Sequence, residues 1–96
     1  MNLDQVVKDK RSQILHIADR HGAHNVRLFG SLARGEAKAD SDVDLLVDMG
    51  PEHTAFFPGG LIADLEELLG CKVEVVTRDA LHEVIRDRVL QEAVPL

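Results

Sequence analysis

The sequence is poor in aromatic residues and in cysteine. It contains no Trp, no Tyr, three Phe and one cysteine, Cys71. These numbers exclude a core built around large rings, so Leu, Val, Ile and Ala must fill it. A single thiol allows no disulfide within the chain and is typical of a reducing compartment, so we expect a cytoplasmic location.

Long apolar segments and an excess of basic charge are also missing. No stretch approaches the roughly 20 apolar residues that a membrane span needs, and the N-terminal residues lack the apolar segment of a signal peptide. The chain has 17 acidic and 11 basic residues and a net charge of −6, so we expect no direct nucleic-acid binding. Its 96 residues are the right number for a single domain over 1–96.

The order of helical and strand patterns predicts the fold class. The patterns predict helices over 3–21, 61–69 and 80–92 and strands over 25–29, 43–48 and 71–76. Ser31 can cap a further short helix over 31–35. We therefore expect an α/β (α+β) domain with the order α-β-α-β-α-β-α and helices packed on a small sheet. About 13 residues separate the first two strands, too few for a full crossover, so we expect a mixed sheet with an antiparallel pair.

A glycine turn follows the first predicted strand. Gly30 lets the backbone approach an anion, and Ser31 with the N–H groups after it can bind a phosphate. Arg34 can reach a triphosphate oxygen, or it can pair on the surface with Glu36 or Asp40. The turn is therefore either a nucleotide-binding element or an ordinary strand connection.

Closely spaced carboxylates open the second predicted strand. Asp42 and Asp44 are two residues apart, so they project to one side of the strand about 6.5–7 Å apart. Carboxylates suit Mg²⁺, which is usually bound together with substrate phosphates. A two-metal displacement also calls for a third carboxylate near the attacking hydroxyl, and Glu74 is the candidate. Glu74 could instead be an edge-strand residue facing water, and Asp-x-Asp also occurs in solvated loops. Together with the glycine turn, the pair predicts a metal-bound nucleoside triphosphate and a small nucleotidyltransferase.

Two other motifs of similar composition do not fit. A calcium loop that begins at Asp40 requires Gly at its sixth position and Glu at its twelfth, where this chain has Leu45 and Pro51. A dinucleotide-binding turn requires Gly-x-Gly-x-x-Gly, and residues 30–35 lack the middle glycine.

The motif is similar to that of one known family. Gly30-Ser31, then ten residues, then Asp42-x-Asp44 resembles the signature of the DNA polymerase β-like nucleotidyltransferase superfamily. The fuller strings GSLARGEA and SDVDLLVD resemble its minimal nucleotidyltransferase (MNT) branch, and further similar stretches extend the likeness over nearly the whole chain. The resemblance implies the nucleotidyltransferase fold, Asp42 and Asp44 as catalytic Mg²⁺ ligands, and a third catalytic and metal-binding carboxylate at residue 74. The family usually has Asp there, and this chain has Glu74.

The resemblance also implies a partner. MNT proteins are typically antitoxins paired with HEPN-domain RNase toxins, which implies transfer of AMP from ATP to a toxin tyrosine within a hetero-oligomer. A chain this short has no second domain to close over the nucleotide, so a bound protein substrate would complete the site.

Two alternatives remain. One is an antitoxin that neutralises its partner by binding alone, which the Glu74 departure favours, and the other is one subunit of a transferase acting on a small molecule or an RNA end.

Overall fold

The computed structural model describes residues 3–36, 42–53, 55 and 57–96. Its elements in chain order are α1 (Leu3–Asp9), α2 (Arg11–Arg20), β1 (Ala23–Phe29), β2 (Val43–Met49), α3 (Gly59–Leu69), β3 (Val73–Thr77), a 3₁₀ turn (Arg78–Ala80), α4 (Glu83–Glu92) and β4 (Val94–Pro95). The polar loop over 37–41, which includes Asp40, lies outside the described residues.

The strands form one mixed sheet, as expected. Their order is β3-β2-β1-β4, with β1 antiparallel to both β2 and β4, and β2 parallel to β3. The short link from β1 to β2 turns the chain back into an antiparallel neighbour, whereas α3 provides the crossover that parallel β2 and β3 require. The predicted fold class is confirmed.

One face of the sheet, here called the core face, carries the hydrophobic core. Alternate residues of β2 point into it, and Val43, Leu45 and Val47 are at most 1% exposed. Val73 and Val75 of β3 join them, and α1, α2 and α3 supply the opposing layer. The opposing layer comprises Val7, Ile14, Ala18, Leu61, Leu65 and Leu69. No polar or charged side chain of the described residues is buried, so the core itself is apolar.

The other face, here called the outer face, carries the remaining residues of β2. Leu46 is fully buried there against Leu81 and Val89, so α4 covers the middle of this face. Asp44 and Asp48 lie on the same face to either side of Leu46. The outer face is thus apolar in the middle and acidic at both ends of β2.

Several boundaries differ from the sequence prediction. The helix predicted over 3–21 is interrupted at Lys10, whose φ of −104° and ψ of 16° leave the helical range. The Lys10 ammonium donates to the Leu68 carbonyl at the end of α3, 2.9 Å away, a tertiary contact that apolar periodicity does not contain. The last helix begins at Glu83 because residues 78–80 form the 3₁₀ turn.

One further prediction about local structure was wrong, and one strand was missed. Residues 31–35 form consecutive hydrogen-bonded turns and not a helix, because Gly35 bonds back to Leu32 and Glu36 to Ser31, outside the helical i→i−4 pattern. The strand β4 was not predicted at all, because it is only two residues long and includes a proline. No helix in the described part of the chain is long and apolar enough to cross a membrane.

Candidate active site

Asp44 and Glu74 lie side by side on the outer face. Asp44 is in register with Phe29 of β1 on one side and with Glu74 of β3 on the other. Residues in register on neighbouring strands project to the same face, and the Glu74 side chain is within hydrogen-bonding reach of the Asp44 carboxyl. Glu74 is also an exposed residue of an edge strand, so the structure places it facing both water and Asp44.

The carboxyl group of Asp44 is electrostatically strained. Its pKa rises from 3.8 to about 6, first because burial disfavours the charged form and then because the charges of Glu74 and Asp42 repel it. The hydrogen bond with Glu74 adds to the rise, and the Arg34 guanidinium opposes it. Three carboxylates and one guanidinium therefore interact at this end of the sheet.

Gly30 brings the turn after β1 against Asp44. Its φ of +73° lies in the left-handed region, and a Cβ at this position would overlap Oδ2 of Asp44. Only glycine therefore allows this backbone to pass so close to the carboxylate. The hydrogen bonds that close the turn use the N–H groups of Arg34, Gly35 and Glu36. The N–H groups of residues 31–33 take no part in them, and Ser31 is half-buried within the turn.

Arg34 joins the turn to α4. Its Nε donates to Oε2 of Glu36 at 3.1 Å and its Nη1 donates to Oε1 of Glu92 at 3.0 Å. These hydrogen bonds raise the pKa of Arg34, with the Glu92 bond contributing most. Of the surface partners expected for Arg34, Glu36 is observed and Asp40 lies outside the described residues. Glu92 was missed because it lies 58 residues further along the chain, where no local pattern connects it to Arg34.

The carboxylates are suited to a metal but do not form a complete site by themselves. Over residues 3–36, 42–53, 55 and 57–96, no three His, Cys, Asp or Glu side chains are arranged to hold a metal ion. Mg²⁺ is commonly bound by one or two protein carboxylates together with substrate phosphates. Asp42 and Asp44 could supply these carboxylates. The mutual repulsion that raises the Asp44 pKa is also what a divalent cation would relieve.

Two surface clefts lie away from these carboxylates. Clefts of about 490 and 350 Å³ run along α2 and α3, where Ile17 and Leu68 contribute to both, on the far side of the sheet from Asp44. Asp44 is partly exposed, and Glu74 is exposed. In the part of the chain that the structure describes, the carboxylates of Asp44 and Glu74 are therefore accessible to solvent.

Comparison with known proteins identifies the family. Residues 11–96 match the nucleotidyltransferase domain family. The chain belongs to this family. It is 36% identical to the protein adenylyltransferase MntA of Thermococcus cleftensis, with 98% of this chain and 95% of that protein covered. It is 37% identical to the "Putative protein adenylyltransferase MJ0435" of Methanocaldococcus jannaschii, over 98% of this chain and 97% of that protein.

Solved structures agree with the fold of this nucleotidyltransferase domain. A structure described as a "putative minimal nucleotidyltransferase" is 44% identical and superposes with a TM-score of 0.85, covering 100% of this chain and 97% of that one. A chain in a toxin–antitoxin crystal structure with AMP-PNP gives a TM-score of 0.74 at 20% identity, covering 88% of this chain and 69% of that one. At that identity the second likeness speaks for the fold only.

Proposed function

We propose that this nucleotidyltransferase domain is a Mg²⁺-dependent protein adenylyltransferase that transfers AMP from ATP to a hydroxyl of a partner protein. The observation that carries the proposal is the register of Asp44 with Glu74 beside the Gly30 turn. Its support from relatives is the likeness to the adenylyltransferase MntA along nearly the whole chain.

Each residue of the site has a proposed task. The turn at Gly30 and Ser31 receives the triphosphate through backbone N–H groups, and Arg34 adds a cationic contact to a phosphate oxygen. Asp42 and Asp44 would hold the metal, and Glu74 would complete the carboxylate set. Bound Mg²⁺ would stabilise the negative charge that develops on the phosphoryl oxygens.

The proposed reaction is an in-line displacement at the α-phosphorus of ATP. The acceptor oxygen forms a bond to the α-phosphorus, the bond from that atom to the α–β bridging oxygen breaks, and pyrophosphate leaves with the bonding electrons. The proton of the acceptor hydroxyl passes to the carboxylate of Glu74, which faces the solvent side of Asp44. The products are pyrophosphate and an AMP phosphodiester on the acceptor.

The partner we propose is a HEPN-domain RNase toxin whose tyrosine is the acceptor, with this chain as the cytoplasmic antitoxin in a hetero-oligomer. The exposure of Glu74 beside the partly exposed Asp44 supports a protein acceptor, since a large partner can reach these carboxylates from solvent. The resemblance to MNT antitoxins supports the same partner, and the fold is shared with the chain of a toxin–antitoxin complex.

The test is a transfer assay with the protein encoded by the neighbouring gene. This chain, ATP and Mg²⁺ are incubated with the partner, and intact-mass spectrometry measures whether the partner gains the mass of AMP. Peptide sequencing then locates the modified residue. We expect an adduct on tyrosine that disappears with EDTA and in the Asp42→Asn/Asp44→Asn variant. An unmodified partner in the presence of folded, ATP-bound protein would reject the proposal.

A second candidate function is neutralisation by binding alone. It is favoured by Glu74, which places a longer side chain where the family usually has Asp. This hypothesis predicts that the Asp42→Asn/Asp44→Asn variant still blocks the toxin in a growth assay, whereas adenylylation predicts that protection is lost. Adduct formation on a small molecule or an RNA end, with the partner protein unmodified, would instead indicate the third alternative.

A further inference from the structure

The guanidinium of Arg34 is held by two carboxylates of different kinds. Glu36 lies two residues away in the same turn, and its side chain is 65% exposed. Glu92 belongs to α4, and its side chain is 21% exposed. Partial burial weakens the screening of the second ion pair, so Glu92 is the stronger restraint on Arg34.

Glu92 is itself held firmly in place. It is the last residue of α4, whose Val89 is buried against Leu46 of the sheet. The chain then enters β4, which pairs with Arg27 and Leu28 of β1. Glu92 thus lies at the junction of α4 and β4, and β4 pairs with β1, the strand that leads directly into Gly30.

The same arrangement places Arg34 beside the carboxylates. The Glu36 and Glu92 bonds use Nε and Nη1 of Arg34, and Nη2 belongs to neither bond. The backbone N–H of Arg34 donates to the carbonyl of Gly30 at 3.1 Å, and Gly30 lies directly against the Asp44 carboxylate, so the turn brings Arg34 near these carboxylates. The bonds through Nε and Nη1 hold the plane of the guanidinium in one orientation. Nη2 can then donate a hydrogen bond to a phosphate oxygen.

We propose that Glu92 is a positioning residue for nucleotide binding, which holds the Arg34 guanidinium in the orientation that contacts a triphosphate oxygen. This inference rests on the proposed function, since it assumes that ATP binds at the Gly30 turn. It adds that the C-terminal helix and strand take part in nucleotide binding through one ion pair, although they contribute no residue of the family's motif.

The test measures the affinity for MgATP by isothermal titration calorimetry in single and double variants of the full chain. We expect Arg34→Ala and Glu92→Ala each to raise the dissociation constant about three- to tenfold. The Arg34→Ala/Glu92→Ala double variant should be no weaker than Arg34→Ala alone, because the two side chains act as one unit. Glu92→Gln keeps an oxygen that accepts the Arg34 hydrogen bond, so its affinity should lie between those of the wild type and Glu92→Ala.

The matched control is Asp87→Ala, which removes the same charge from an exposed position of α4. It should leave the dissociation constant within about twofold of the wild type, since a charge on the exposed surface contributes little. Urea unfolding of each variant separates loss of nucleotide affinity from loss of the fold, and Glu92→Gln provides a variant of unchanged size should Glu92→Ala fail to fold.

Three results would overturn the inference, and they are distinguishable. If the wild type binds no ATP, the proposed function fails with it. If Arg34→Ala weakens ATP binding but Glu92→Ala and Glu92→Gln do not, the proposed function stands and the role of Glu92 is refuted. If the Glu92 variants bind ATP more tightly, Glu92 competes with phosphate for Arg34 and does not position it.

Discussion

The two faces of the sheet show how one strand serves stability and chemistry at once. On the core face, Val43, Leu45 and Val47 of β2 are sealed against three helices. On the outer face, the alternate residues Asp44 and Asp48 are carboxylates, and α4 covers only the leucine between them. Strand alternation therefore separates an apolar surface, which provides the driving force for folding, from a surface that carries carboxylates at both ends of β2. At the Asp44 end these charges repel those of Glu74 and Asp42, whereas Asp48 pairs with Arg27.

The comparison also explains why the acidic groups are at the end of the sheet. A carboxylate in the middle of the outer face would be buried under α4, where desolvation penalises its charge. At the register position of Phe29, Asp44 and Glu74, the carboxylates stay partly exposed and lie next to the backbone of Gly30. The site is thus located where the sheet can tolerate charge and where an anion can reach backbone N–H groups.

The largest expected effect concerns the acidic residues of the outer face. Asp44→Asn should lower the rate of AMP transfer at least about 100-fold, because a proposed metal ligand is lost without change of size. Asp48→Asn is the matched control, since it changes the same residue type on the same face and strand, where Asp48 instead pairs with Arg27 at 2.8 Å. Transfer rates measured with saturating partner compare the two, and an equal loss in both variants would mean that position on the face does not matter.

Core packing should show the next largest effect. Leu45→Ala on the core face is expected to lower the free energy of unfolding by about 3 kcal/mol, and Leu46→Ala on the outer face by about 2 kcal/mol. Both leucines are at most 1% exposed, but Leu46 belongs to a small cluster that can collapse around the lost atoms. Urea unfolding measures both values. A larger loss for Leu46→Ala would show that α4 contributes more to stability than the core face does.

Much of this arrangement could be predicted from the sequence because it is local. Alternation in β2 correctly assigned Asp44 and Leu45 to opposite faces, and the spacing of Asp42 and Asp44 required no tertiary information. Glu74 was assigned to the same site as Asp44, and its register in the structure agrees with that placement, although its catalytic role remains a prediction.

The parts that could not be predicted depend on contacts between distant segments. The ion pair of Arg34 with Glu92 joins residues 58 apart, and the break at Lys10 depends on a carbonyl of α3. The turn over 31–35 was mistaken for a helix because a serine cap is also compatible with a series of tight turns. The two-residue β4 is defined by its partner β1 and has no strand pattern of its own.

The burial and charge repulsion at Asp44 predict that Asp44→Asn raises the stability of the protein although it lowers the rate of AMP transfer. The folded state raises the pKa of Asp44 from 3.8 to about 6, so ionisation disfavours folding increasingly between about pH 4 and 6 and fully above pH 6. In EDTA, Asp44→Asn should therefore stabilise the protein above pH 6, by about 1 kcal/mol after allowance for solvent screening. The gain should vanish below about pH 4, where the carboxyl is protonated in both states.

Thermal unfolding of the wild type and Asp44→Asn from pH 4 to 8 measures this effect. Adding Mg²⁺ with ATP should reverse the order at neutral pH, because only the wild type gains binding energy from the metal. A variant that is less stable than the wild type at every pH in EDTA would show that the carboxylates at this site do not repel one another.

The smallest effect is expected from shortening the side chain of the third acidic residue, Glu74, by one methylene group. Glu74→Asp restores the side chain that the family usually has, and we expect it to raise the transfer rate about two- to fivefold through better placement of the proton acceptor. The affinity for MgATP should stay within about twofold, because the task proposed for Glu74 is to accept the proton of the acceptor hydroxyl. Single-turnover rates and calorimetry on one preparation check both, and a lower transfer rate in Glu74→Asp would show that this chain is adapted to glutamate.

The central claim is that metal and nucleotide bind at the Asp44 end of the outer face. The most direct measurement is the anomalous diffraction signal of Mn²⁺ in crystals grown with a non-hydrolysable ATP analogue. We predict a peak coordinated by the carboxylates of Asp42 and Asp44 and by the triphosphate, with phosphate oxygens against the backbone at Gly30. A triphosphate seated in the cleft between α2 and α3, or a Mn²⁺ peak away from Asp44, would contradict the account.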